Sequence, residues 1–88
     1  MMKVSQTGQF KKDIKLQIKR AKDPRKVTEL LRYLLDEEDL PESYLDHPLK
    51  GNWKGRRDCH LEPDWILIYR LSKGEIRLER TGSHSDLF

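Results

Sequence analysis

Eighty-eight residues bound the chain to one domain, 1–88, since domains typically run to ~100–150 residues and seldom divide below that. Charged residues make up 38% and apolar ones 35%, with a net charge of +3. A chain of this size buries only roughly 60–65% of its unfolded surface, which excludes a large cofactor with a separate substrate domain. The single cysteine, Cys59, excludes an internal disulfide framework and fits a reducing compartment. The longest apolar run, Trp65 to Tyr69, is too short to span a membrane, and no signal peptide is visible, so a soluble cytoplasmic protein is expected.

The charge is segregated along the chain. Residues 1–35 carry ten Lys or Arg against three acids, residues 36–46 carry six acids and no base, and residues 47–88 carry eight bases against six acids. Such a basic N-terminal half can hold a phosphate backbone without sequence specificity, although on charge alone lysines solvating two amphipathic helices are the better explanation.

In chain order, MMKVSQ offers only Val4 toward a first strand. GQFKKDIKLQIKRAK then places Phe10, Ile14, Ile18 and Ala21 at helical spacing, a narrow apolar stripe on a basic helix. Asp23-Pro24 reads as a helix restart, with Asp as cap and Pro in the first turn. Val27, Leu30, Leu31, Leu34 and Leu35 give the second helix a wide apolar face, and the short linker predicts an antiparallel hairpin. DEEDLPESYLD ends the helix by Pro41, and HPLKGNWKG reads as an irregular loop. RRDCHL, WILIYRL and EIRLER are three short strand patterns separated by EPD and SKG, an antiparallel meander. The expected fold class is α+β, an N-terminal helical hairpin packed on a small antiparallel sheet.

A tight turn centred on Pro63-Asp64 pairs Glu62 with Trp65, His60 with Leu67 and Cys59 with Ile68. Alternation then puts Cys59, Leu61, Ile66 and Ile68 toward the helices and His60, Trp65, Leu67 and Tyr69 on the other face. The second hairpin leaves Arg80 open: a two-residue loop at Lys73-Gly74 brings it to the His60 face, and a three-residue loop sends it to the helix face.

Three histidines spaced 13 and 24 residues apart fit no zinc motif, so no metal or other cofactor is expected. Cys59, expected to point inward, is a poor nucleophile. The set suits metal-free RNA cleavage better. The ribose 2′-OH is a built-in nucleophile, and histidines near pKa ~6.5 serve as base and acid. Arg80 would hold the phosphate bidentately. Trp65 and Phe88 would stack on bases, and Lys54 and Arg57 are further candidate substrate contacts.

DHPLKGNWKGRRDCHLEPDWILIYRL followed by LERTGSHSDLF closely resembles the YafQ-type toxins of the RelE/ParE superfamily, over nearly the whole chain. The resemblance implies a RelE-like, microbial-RNase-like fold and a ribosome-dependent mRNA endonuclease without metal. It also implies a cognate antitoxin partner with a DNA-binding part. Residue by residue it places His47, His60, Asp64, Trp65, Arg80, His84 and Phe88 in the site. His84 would be the general acid, His60 with Asp64 would act as base or position the 2′-OH, Arg80 would stabilise phosphate, and His47 would orient substrate or support proton transfer. A gyrase-directed ParE-like toxin and a non-catalytic RNA- or ribosome-binding module are the competing readings. The histidines argue against the former.

Overall fold

The computed structural model describes residues 2–88. Strand β1 (Lys3–Gln6) leads into α1 (Gly8–Lys19) and α2 (Arg25–Leu35); after two single 3-10 turns and the short β2 (His47–Pro48) come β3 (Arg57–Glu62), β4 (Trp65–Ser72) and β5 (Glu75–Gly82), and α3 (His84–Leu87) follows. The sheet order is β1-β5-β4-β3-β2. The expected meander is therefore the centre of a larger sheet: β1 adds parallel to β5, and His47-Pro48, read as loop, pairs antiparallel with β3. The sheet is mixed, not purely antiparallel. Four residues with one valine, and two with a proline, carry too little period-two signal to announce themselves as strands.

Thr7 caps α1 by accepting the Phe10 N–H at 2.9 Å, and its hydroxyl donates to the Glu79 carbonyl at 2.7 Å, fixing the helix to β5. The buried face of α1 is Phe10, Asp13 and Gln17, with Ile14 partly buried against the core, so Phe10 and Ile14 of the expected stripe face inward while Ala21 and Ile18 do not. Ile18 is 48% exposed. The helix starts one residue later than expected, with Pro24 at the cap position, and Asp23, just before it, still takes the Arg25 N–H on its Oδ1 at 2.9 Å. Each helix packs on the sheet, α1 on β5 and α2 on β3.

The chain leaves α1 through a left-handed Ala21, φ 65°. The Lys22 N–H reaches the Gln17 carbonyl and the Ala21 N–H reaches that of Ile18, a helix end that normally uses glycine. A Cβ in this conformation costs roughly 1–2 kcal/mol. Ala21→Gly is expected to stabilise the fold by about 0.5–1 kcal/mol after its entropic cost, read as a higher denaturant midpoint at unchanged slope.

Two one-residue bulges set the faces of the sheet. In β3 the register jumps from His60↔Ile66 to Glu62↔Trp65, leaving Leu61 as the extra residue. In β5 it jumps from Tyr69↔Leu78 to Ile68↔Arg80, leaving Glu79 extra. The first bulge corrects the expected faces. Cys59, Leu61, Trp65, Leu67 and Tyr69 face the helices, packed with Phe10, Val27, Leu30, Ile76 and Leu78. On the other face Ile66 and Ile68 pack with Leu87, Leu49 and Trp53. The loop at Lys73-Gly74 has two residues, with Gly74 at φ 77°. Among the described residues no helix is long and apolar enough to cross a membrane.

Candidate active site

The β3–β4 turn and the segment after β5 meet at one end of the sheet. Ser83 and Asp86 form a reciprocal cap at the start of α3: the Ser83 hydroxyl takes the Asp86 N–H at 3.2 Å, and Asp86 Oδ2 takes the Ser83 N–H at 2.9 Å. Arg20, at the end of α1, pairs with Asp86 at 2.6 Å. The Arg20 hydrogen bond, followed by the Ser83 backbone bond, holds the Asp86 carboxyl far below the usual carboxylate range. Gly82 permits this approach, since a Cβ there would lie 2.9 Å from that of Asp86.

The cap presents His84 to Asp64 in the turn. Asp64 Oδ1 accepts both the backbone N–H of His84 at 2.9 Å and its ring Nδ1–H at 2.7 Å. These bonds, the backbone one foremost, lower the Asp64 pKa. A carboxylate only accepts, so the proton on this side of the ring sits on Nδ1, and Nε2 is left for another partner. The His60 ring lies 5.5 Å from that of His84, centre to centre, tilted by 55°. Its Nδ1 faces the Pro63 carbonyl at 3.4 Å. His47 stands opposite Asp58 across the β2–β3 pair. Its Nδ1 is 2.8 Å from the Leu45 carbonyl and 3.0 Å from Asp58 Oδ1. One ring N–H cannot point at both, and the Leu45 carbonyl has the better geometry; Asp58 Oδ1 stays buried without a hydrogen bond. All three imidazoles thus turn Nδ1 toward an acceptor within the protein and keep Nε2 available.

Asp58 is buried. Burial raises its pKa foremost, opposed by the charges of His47, His60 and His84. A carboxyl whose folded pKa exceeds its unfolded value destabilises the fold as it ionises. Its cost is absent below the unfolded pKa of ~3.9 and complete above the folded one. Asp58→Asn is therefore expected to raise stability at pH 7 by about 0.5–2 kcal/mol and to show little gain at pH 3.5. Melting curves of both proteins across that range check the sign.

An aromatic row continues from the histidines. His84 and Phe88 rings are 6.5 Å apart, and Phe88 meets Trp53 edge-on at 6.2 Å. The Arg56 guanidinium lies over Trp53 at 5.9 Å. Phe88 is 59% exposed.

The profile described as "Bacterial toxin of type II toxin-antitoxin system, YafQ" matches residues 2–88. The chain belongs to the YafQ family. It is 51% identical over 86 residues to the mRNA interferase toxin YafQ of Escherichia coli K12, covering 97% of this chain and 94% of that one. The crystal structure of YafQ from E. coli strain BL21(DE3) matches with a TM-score of 0.92 at 48% identity, over 100% of this chain and 99% of that one. YafQ in the E. coli DinJ–YafQ complex matches at 0.91, with 49% identity and the same coverage.

Of the residues expected in the site of this YafQ-family chain, His60, Asp64, His84 and Phe88 stand together, and His47 stands opposite Asp58, two residues before His60 on β3. Asp64 bonds His84, not His60, which corrects the expected pairing. Trp65 is a further correction. The β3 bulge turns it to the helix side, where it is 0% exposed, and the indole beside Phe88 is Trp53. Arg57 also leaves the site: directly opposite Tyr69, it pairs with Asp46 at 3.0 Å, and Tyr69 bonds the same carboxylate. Lys54 is exposed and has no ion-pair partner among the described residues. Arg80 shares the His60 face through its register with Ile68, and its Nε donates to Asp13 at 2.7 Å. Sequence reasoning missed Asp58, although its i, i+2 relation to His60 places both on one face. It also missed α3, which the S-x-x-D of SHSD signals.

Proposed function

We propose that this chain is the toxin of a type II toxin–antitoxin pair and an endoribonuclease that cleaves mRNA on the translating ribosome, in the cytoplasm. The carrying observation is the His60–His84 pair, 5.5 Å apart, with His84 clamped by Asp64 and both Nε2 atoms uncommitted. That spacing suits one phosphate lying between a base and an acid. His60 Nε2 takes the proton of the 2′-OH, the oxygen attacks phosphorus, and His84, protonated, gives its Nε2 proton to the departing 5′ oxygen. The products are a 2′,3′-cyclic phosphate end and a 5′-OH end. Arg80 holds the phosphate, His47 orients it, and Phe88 with Trp53 stacks the adjoining bases, Lys54 adding charge at the rim.

A sparsely charged site supports ribosome dependence. Arg57 is engaged by Asp46, which leaves Arg80 and the rim Lys54 to position a flexible RNA, and a surface that presents the mRNA already shaped would supply the missing orientation. E. coli YafQ occurs in a complex with DinJ, and we assign this chain a cognate antitoxin partner that neutralises it and binds DNA.

Mapping mRNA 5′ ends by primer extension, with translation active and then blocked, tests the reading. Cuts inside translated frames that vanish on blocking support it. Growth arrest with no cuts would shift the assignment to a gyrase-directed toxin or a binding-only module.

A further inference from the structure

We infer that Asp13 is a positioning residue for Arg80, fixing the guanidinium so that one edge faces the scissile phosphate. The inference rests on Arg80 acting on that phosphate as proposed above. Asp13 sits in the middle of α1 and is 7% exposed. Its Oδ2 accepts from Arg80 Nε at 2.7 Å and from the Thr81 backbone N–H at 3.2 Å. Its Oδ1 accepts from Arg80 Nη2 at 3.3 Å and from Gln9 Nε2 at 3.0 Å. Four donors fill the four lone-pair sites of the carboxylate, so it has no freedom to turn.

Arg80 is held along one side. A guanidinium has five N–H groups in a rigid plane. Asp13 takes Nε–H and one Nη2–H, which leaves the end-on pair, Nη1–H and the second Nη2–H, parallel and free for a phosphate. The side chain as a whole is 29% exposed, which leaves it accessible to an anion. A long flexible arginine would otherwise lose several rotatable bonds on meeting its anion; here they are already restricted.

The helix gives up packing for this arrangement. Turning Asp13 and Gln17 inward leaves Leu16 43% and Ile18 48% exposed on the same helix. A helix selected for stability alone would bury the isoleucine and solvate the aspartate. Local rules broken in this way mark functional sites.

A double-mutant cycle tests the inference. Single-turnover cleavage of ribosome-bound mRNA is measured for the wild type, Asp13→Asn, Arg80→Ala and the double variant, with a melting curve for each. The expected result is a roughly 10- to 100-fold slower cleavage step in Asp13→Asn, at an unchanged half-saturating concentration, and less than a twofold further loss when Arg80 is already alanine. Should Asp13→Asn lack a cooperative melt, Asp13→Glu, which keeps the charge but displaces the guanidinium, takes its place with the same expectation. An equal loss in both Arg80 backgrounds, tracking a lower melting temperature, would show Asp13 to be structural and overturn the inference. So would an unimpaired Asp13→Asn beside a defective Arg80→Ala. Wild-type cleavage by Arg80→Ala would overturn the Arg80 role itself, and this inference with it.

Discussion

Replacing His84 with alanine is expected to slow mRNA cleavage by about 10²–10⁴-fold, the usual contribution of a positioned general acid, while the protein folds as before. The imidazole is 55% exposed and its ring has one hydrogen-bond partner, Asp64. The cap that holds α3 uses Ser83, Asp86 and Arg20, none of which touches the His84 ring through a hydrogen bond. Stability should therefore change by no more than about 0.5 kcal/mol. Primer-extension rates read the first quantity and a melting curve the second. Asp64→Asn should fall between the two proteins, since an amide oxygen can still accept the Nδ1–H but carries no charge to hold it. Cleavage by His84→Ala within threefold of wild type would remove His84 as the proton donor and move that role to His60 or His47.

The two tryptophans should separate folding from function. Trp65 is 0% exposed and lies in the helix-side core with Cys59, Leu61 and Leu67. Cutting it to alanine costs about 3–5 kcal/mol, as for other large buried aromatics, a large share of the 5–15 kcal/mol typical of a whole domain. Trp65→Ala should thus be partly unfolded at 37 °C, and its inactivity would track its unfolding. Trp53 packs on the opposite face against Ile66, Ile68 and Leu87 and meets Phe88 edge-on. Trp53→Phe is expected to melt within a few degrees of wild type yet cleave more weakly, with the loss in half-saturation if the indole stacks on a base. A stable, well-packed Trp65→Ala would contradict the register of the β3–β4 hairpin.

That hairpin shows how far local pattern reaches. The turn at Pro63-Asp64 and the Glu62–Trp65 pair were legible, because Pro and Asp have turn preferences of their own. The next residue, Leu61, bulges, and every side chain before it in β3 changes its cross-strand partner by one. Period-two reasoning has no means of detecting an inserted residue, since the alternation continues unbroken along the strand itself. For Trp65 the slip is decisive and sends it to the core. For Arg80 two slips cancel. The bulge at Glu79 moves its partner from Leu67 to Ile68, and the bulge at Leu61 makes Ile68 a residue of the His60 face.

The helices tell a parallel story. The second, with its wide leucine face and Asp23-Pro24 at its start, was readable because propensity, start signal and burial agree. In α1 the apolar stripe was narrow, and with Arg80 and the Thr81 N–H bonded to Asp13 the inward face keeps Phe10 and Ile14 but takes Asp13 and Gln17 in place of Ile18. Those partners are 67 and 68 residues away in sequence. No window along the chain contains them.

By itself, the sequence determined an α+β chain with two helices and a three-stranded antiparallel core, an inert inward Cys59, and a concentration of histidines suited to proton transfer. These follow from composition, local periodicity and the intrinsic chemistry of side chains. Only the tertiary structure decided that Asp64 serves His84, that a buried Asp58 stands opposite His47, that Asp46 claims Arg57, and that Trp53, not Trp65, stands beside Phe88. Each of these depends on which face a residue takes or on a partner distant in sequence, and a single bulge or one buried carboxylate is enough to change the answer.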